Sequence, residues 1–381
     1  MPHNKPNLEE FFLTYFGNRE LNELYASVFI KALAQSLITI FVPIYLFQLG
    51  FEIFHIALYF LIYILVITVS MPFGMFFNSK IGIKKTLALG TLIMIGYYYL
   101  LNLIQSGFPY EIVAIISGVS TGIYFAAFHI EFAKFSNKGG EGKDLSMLAI
   151  IGVIIGILGP ITGAFIISNL SFNFIFKLVS GMLFISIFPL FLSNDLKVPF
   201  EFSPRKIMRA DSKRKAIAYN AEAIRGIVGF YFWPLFIFLT LNNILSLGLI
   251  ISISSAFAIF ILAYIGKLTD RDKNTVLKLG VLLNAPAWIL RIFLVSPLGI
   301  FFVNFYGNIT GAMIGIPFNK IVYSKAKKSK NLVNYFLFRE FSLLPGRVFI
   351  LGLAMLTGSI KWMFGATFLV TFVYLILLKE R

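Results

Sequence analysis

Cysteine is absent from the 381 residues, and histidine occurs only three times. The first absence removes disulfides, thiolate nucleophiles and cysteine metal sites together. The second leaves too few imidazoles for a histidine-built metal centre, and neither a metal-ligand spacing nor a phosphate-cradling glycine loop occurs. No metal, no cofactor and no enzyme active site are therefore expected. Charge is scarce as well, at 13%, and acids number 17 against 33 Lys and Arg. What fills the chain is hydrophobic: 58% of residues, with a mean hydropathy of +0.85. A soluble globule does not have that composition, whereas a chain crossing a bilayer many times does.

The apolar runs divide into twelve spans, at 25–48, 53–78, 84–105, 109–134, 145–170, 173–193, 219–242, 243–267, 275–296, 298–323, 332–357 and 359–379. Each is long enough to cross a bilayer, with tilt. The expected fold is therefore all-α, with twelve transmembrane helices. The division between the seventh and eighth spans rests on Asn242-Asn243 alone.

The net charge of +16 suggests nucleic acid in a soluble chain, but here the basic residues lie in alternate loops. Lys80, Lys84, Lys85, Lys134, Arg205, Lys206, Lys213, Arg214, Lys215, Lys327 and Lys328 share one side, and Lys177 and Lys361 lie on the other. By the positive-inside rule both termini are expected to be cytoplasmic, and the cell (inner) membrane is the expected location. Lipid is then the expected neighbour, nucleic acid is not, and a monomer is the expected state. The first 24 residues lack the features of a cleaved leader and are expected to stay. Phe11, Phe12, Tyr15 and Phe16, set among Glu9, Glu10, Arg19 and Glu20, fit an amphipathic segment at the surface or a disordered tail.

Leu196 to Ala216, with Pro199, Pro204 and a basic cluster, interrupts the hydrophobic pattern near mid-chain. It divides the chain into an N-terminal segment (1–24), a six-helix bundle (25–195), a linker (196–218) and a second six-helix bundle (219–381). Tyr25–Lys31 matches Tyr219–Arg225, Lys85–Gly90 matches Thr275–Gly280, and Phe128-His129 matches Phe318-Asn319. Duplicated six-helix halves suit a secondary transporter, because two similar bundles can rock about a site between them.

Gly266-Lys267-Leu268-Thr269-Asp270-Arg271-Asp272-Lys273 then resembles the charged loop of the major facilitator superfamily, which joins the second and third helices of each half. The resemblance covers essentially the whole chain and implies that fold, with alternating access between two pseudo-symmetric bundles. It also implies a conformational latch at Gly266, Asp270 and Arg271, with Lys80 and Lys84 in the first-half copy. Capping of the following helix accounts for Asp270 equally well. The first-half copy has Asn78-Ser79 where the family has its acid. In the fifth span Gly152, Gly156, Gly159 and Gly163 share one helical face beside Pro160, a helix-packing stripe. Gly159-Pro160-x-x-Gly163 is similar to a motif of exporters in this superfamily; tight packing explains it as well.

Charges inside the spans point to function because each costs roughly 2.5–3.5 kcal/mol at mid-bilayer. Arg347 lies centrally in the eleventh span, with Glu340 on nearly the same face. Lys31 and Arg225 occupy matching places in spans 1 and 7, with Gln35 and Glu222 nearby; snorkelling and a local Glu222–Arg225 pair are the plainer alternatives. Asn304 and Asn308 form a stripe with Gly311 and Gly315 in span 10, serving either a solute path or helix packing. The expected substrate cavity thus comprises Lys31, Gln35, Arg225, Asn304, Asn308, Glu340 and Arg347. Its basic bias suits an anionic or amphipathic small solute. Glu222, Glu340, Glu131 and His129 are the candidates for proton coupling. Arg291, with Asn284 and Trp288 on its face, is expected to anchor span 9 near the outer surface, and most Phe and Tyr to face lipid or pack. The expectation is a secondary transporter, a proton-coupled exporter or antiporter. A lipid translocator on the same fold and a non-transporting sensor or scaffold are the alternatives.

Overall fold

A computed structural model describes residues 19–135, 141–329 and 331–379. The segment holding Phe11 to Phe16 lies outside the described residues. Within them all regular structure is helical. The membrane helices are α1 (Asn22–Gln48), α2 (Ile53–Lys80), α3 (Ile83–Ser106), α4 (Tyr110–Phe132), α5 (Glu141–Asn169) and α6 (Phe172–Phe191). They continue as α7 (Lys213–Leu241), α8 (Ile244–Arg271), α9 (Lys273–Phe293), α10 (Pro297–Lys328), α11 (Leu332–Thr357) and α12 (Ile360–Leu378). Ten are long and apolar enough to span a membrane; α5 and α8 contain shorter apolar stretches, Ile154–Asn169 and Ile244–Ala258. The protein is thus an all-α integral membrane protein.

Polar residues at the turns set the helix boundaries. Asn242 adopts a left-handed conformation, φ 48°, that ends α7, and the side chain of Asn243 accepts the Ser246 N–H at 2.8 Å to start α8. Two adjacent asparagines therefore suffice to split a long apolar run, since one tolerates positive φ and the other caps. Ser171, Ser296 and Asn331 cap α6, α10 and α11 in the same way. The seventh helix begins earlier than its apolar pattern, at Lys213 instead of 219. Ser212 caps it, and Lys215 can enter the helix buried because Asp211 meets its Nζ at 3.2 Å.

In the first half α4 packs on α2 and α3, and α6 on α1 and α3; in the second, α10 packs on α8 and α9, and α7 on α11. The halves meet where α5 lies along α8 and α2 along α11. Small residues allow these approaches, since a bilayer gives little hydrophobic drive between helices. The α5 stripe turns out to be divided. Gly159 and Gly163 press on α1, where an added Cβ would strike Ser36 and the Leu37 carbonyl, but Gly152 and Gly156 have nothing within 4 Å of that position. Pro160 serves the other contact: its carbonyl would lie 2.6 Å from a Cβ on Gly248 of α8. Beside it the Ile161 N–H donates to Ser252 Oγ at 3.0 Å. One helix thus holds both its own half and the partner half.

Candidate functional site: a tyrosine-lined pocket at the boundary of the halves

A pocket of ≈ 410 Å³, mouth included, opens among Gln35 and Thr39 of α1, Tyr59 and Tyr63 of α2, Tyr97 and Tyr98 of α3, and Ser117 and Thr121 of α4. Tyr231 of α7 closes it from the second half. Helical spacing explains the grouping, because Gln35/Thr39, Tyr59/Tyr63 and Ser117/Thr121 are each i,i+4 pairs on one face. The Tyr59 hydroxyl donates to Tyr97 at 3.1 Å, and Tyr63 reaches Thr121 at 3.5 Å. Tyr231 lies in a π-helical segment, Val228–Phe232, and its ring packs 4.1 Å from Phe60. Such segments often occur at functional sites because the extra residue re-aims side chains.

Aromatic contacts join the halves on both sides of this pocket. Towards the linker end, His129 of α4 stacks on Phe336 of α11, with centroids 4.7 Å apart, and Phe132 meets Tyr323 at 6.1 Å. Towards the opposite end, Phe47 of α1 meets Phe238 of α7 at 6.4 Å.

Among the expected cavity residues, Gln35 lines the pocket. Lys31, one turn away, donates to Gln35 Oε1 at 2.6 Å and lies 3.8 Å from the centroid of the Tyr124 ring. Glu340 and Arg347 form an ion pair within α11, and Arg347 is within electrostatic range of the Tyr63 and Tyr231 hydroxyls. Arg225, Asn304 and Asn308 stand elsewhere, inside the second half. Arg225 Nη2 pairs with Glu222 Oε2 at 2.7 Å, and Tyr374 of α12 donates to the same carboxylate. Asn304 accepts the Trp233 indole N–H at 2.8 Å and donates to Ser254 Oγ at 2.5 Å, while Asn308 reaches Ser255 at 3.4 Å. These asparagines bond helices to one another instead of lining the pocket.

The proton-coupling candidates differ in their partners. Glu222 and Glu340 are ion-paired. Glu131 is fully buried, and among the described residues neither of its carboxylate oxygens has a hydrogen-bond partner; it stands within electrostatic range of Lys84, Asp195 and Glu23. His129 is half-buried, stacked on Phe336, and its Nδ1 has no partner among the described residues.

The two charged turns do not reach across the interface in this conformation. Asp270 pairs with Lys320 of α10 at 2.5 Å, within its own half. Arg271 is exposed, Gly266 has open space beside it, and Lys80 lies 5.6 Å from the ring of Phe76. The capping considered for Asp270 falls instead to Asp272, which accepts the N–H groups of Asn274 and Thr275 at 3.0 and 3.1 Å. Lys84 is buried, ion-paired at 2.8 Å with Glu23 of α1 and bonded to Ser193. Arg291 is also buried, against the rings of Trp233 and Trp288, and does not anchor at an outer surface. The tyrosines were the residues that hydropathy missed. A phenol reads as apolar in a span, and the i,i+4 spacing of Tyr59 and Tyr63 beside Ser117 and Thr121 was the available signal.

A helical membrane protein with two six-helix halves and a polar-aromatic pocket at their boundary belongs to the class of membrane transporters. The sequence profile of the Major Facilitator Superfamily matches residues 24–365, and the chain belongs to that family. Its fold is similar to the crystal structure of the human organic anion transporter MFSD10 (TETRAN), with a TM-score of 0.67 and 13% identity, over 95% of this chain and 99% of that one. A POT family transporter in complex with 5-aminolevulinic acid gives a TM-score of 0.72 at 13% identity, over 95% and 97%. No curated protein sequence matches the chain.

Proposed function

We propose that the protein is a secondary transporter that carries a small anionic or amphipathic solute through the tyrosine-lined pocket by alternating access, as a proton-coupled exporter. The observation that carries this reading is the pocket's placement: it sits at the boundary of the halves, with aromatic contacts on both sides that rocking would make and break in turn. Phenol rings offer faces for stacking, and their hydroxyls, with Gln35, Thr39, Ser117 and Thr121, offer hydrogen bonds. Lys31, bonded to Gln35, supplies the positive charge that favours an anion.

Glu131 is the best-suited proton carrier, since a buried carboxylate without hydrogen-bond partners is costly to ionise and inexpensive to protonate. The export direction rests on the likeness of Gly159-Pro160-x-x-Gly163 to the exporter motif; in the structure its glycines pack α5 on α1 and Pro160 packs it on α8. The basic loops support cytoplasmic termini, and the cell membrane is the proposed location.

The test is transport in proteoliposomes under a pH gradient, screened over small carboxylates, amphipathic amines and lipids. Tyr231→Ala and Gln35→Ala are expected to lower solute flux about tenfold or more, as loss of a positioning contact does. Glu131→Gln is expected to retain solute exchange while losing accumulation driven by the gradient. Wild-type flux indifferent to pH would remove proton coupling, and flux unaffected by Tyr231→Ala would remove the pocket. Movement of lipid alone would move the assignment to translocation.

A further inference from the structure

Two arginines lie along one glycine ladder of α10, and among the described residues only one of them has a counter-ion. Gly307, Gly311 and Gly315 recur at four-residue spacing and so share a helical face. A Cβ on Gly311 would lie 3.4 Å from Arg225 Nη1, one on Gly315 would lie 3.8 Å from Arg225 Nη2, and one on Gly307 would lie 3.0 Å from Arg291 Nη2. Without side chains, this face lets both guanidinium groups approach the backbone. Arg225 has Glu222 as counter-ion and Tyr374 as a further partner. Arg291 has no ion pair among the described residues, and its Nε and Nη1 lack hydrogen-bond partners although the residue is 6% exposed.

The Arg291 guanidinium lies against two indole rings, Trp288 at 3.8 Å and Trp233 at 4.6 Å. Cation–π attraction to the rings compensates part of the charge but supplies no acceptor for the N–H groups of Nε and Nη1. Surrounding polar groups are already engaged with one another. Asn284 accepts from the Trp288 indole at 3.1 Å and donates to Thr310 at 2.9 Å, while Asn304 links Trp233 to Ser254. A buried guanidinium stacked on indoles, with Nε and Nη1 unpaired, calls for an acceptor that the described residues do not supply.

We propose that Arg291 holds a carboxylate-bearing anion inside the second half, between α7, α9 and α10, at a site distinct from the tyrosine-lined pocket. One uncompensated positive charge calls for a monoanion, and a planar carboxylate accepts from guanidinium N–H groups with better geometry than a spherical halide does.

The protein carries its own reporters, because two of its three tryptophans flank Arg291. With Trp362 replaced by Phe, the remaining indole emission comes from the site. The full chain in detergent is titrated with sodium acetate, and in parallel with chloride and phosphate at matched ionic strength. A saturable change with acetate is expected, weakened about tenfold or more in Arg291→Gln and also weakened in Arg291→Lys, which keeps the charge without the fork. Tyr231→Ala, which disables the pocket proposed for transport, is expected to leave this titration unchanged and so separates the two readings. Should Arg291→Gln fail to insert, the wild-type titration and Arg291→Lys decide. The absence of a saturable acetate response, an equal response to chloride, or an undiminished response in the Arg291 variants would overturn the proposal.

Discussion

The turn between α2 and α3 and the turn between α8 and α9 occupy equivalent places in the two halves, yet they are held by different means. The second is self-contained. Asp272 caps α9 from within the turn, and the ion pair of Asp270 with Lys320 lies at the surface, with exposures of 75% and 41%. The first has no acid of its own, and Asp195 fills that place from the segment after α6. Its carboxylate accepts the N–H groups of Lys84 at 2.9 Å and Lys85 at 3.1 Å. Gly82 makes this possible: its φ of 108° suits glycine, and a Cβ there would strike the Asp195 carboxylate. The Lys84 side chain meanwhile turns inward to Glu23. Asn78 is no remnant of a lost acid either, since it is buried and its Nδ2 donates to the Ala126 carbonyl of α4 at 3.2 Å. A cap can thus move to another part of the chain, and the start of the linker becomes a structural part of the first turn.

The largest effect is expected at Lys84. Lys84→Ala deprives buried Glu23 of its cation, and a cost of about 3–5 kcal/mol is expected in thermal unfolding of the solubilised protein. Asn78→Asp, which restores the family's acid, should destabilise by roughly 1–3 kcal/mol, because it removes a donor from a buried carbonyl. A gain in stability there would show that the turn accepts a local acid after all. Asp195→Ala removes a long-range cap and is expected to cost about 1–2 kcal/mol. Asp270→Asn should change stability by less than ~1 kcal/mol, as exposed pairs do.

The smallest effect concerns pH. The Thr275 hydroxyl, followed by the Thr275 and Asn274 amides, holds the Asp272 carboxyl below its usual range. A lowered folded-state value means the cap contributes fully above the ordinary aspartate range and is lost as pH falls through the folded value. The stability difference between wild type and Asp272→Ala should therefore be constant near neutrality and close in acid.

Much of the fold was legible because hydropathy and helix length are local properties. The Asn242-Asn243 division was readable for the same reason, since both asparagines act on their own backbone. The first turn was not, because its cap comes from Asp195, a residue with no sequence neighbour in the turn. The pocket was obscured by the opposite error. Charged residues in spans stand out in a sequence, but Arg225 and Arg347 are paired with Glu222 and Glu340. The pocket surface is made of tyrosines whose hydroxyls a hydropathy scale barely registers. Arg291 was misplaced because depth along α9 says nothing about the side to which a side chain turns, and the two indoles that bury it come from different helices.

The most direct test of alternating access uses the absence of cysteine, which lets introduced pairs be spin-labelled without background. One pair, Lys80→Cys with Lys273→Cys, reports the end where the two charged turns lie. The other, Gln105→Cys with Val295→Cys, reports the opposite end. Pulsed electron-electron distance measurement in liposomes, with and without a transported solute, should show the two distances changing in opposite directions. Distances that stay fixed during transport, or that lengthen and shorten together, would contradict rocking of the halves about the tyrosine-lined pocket.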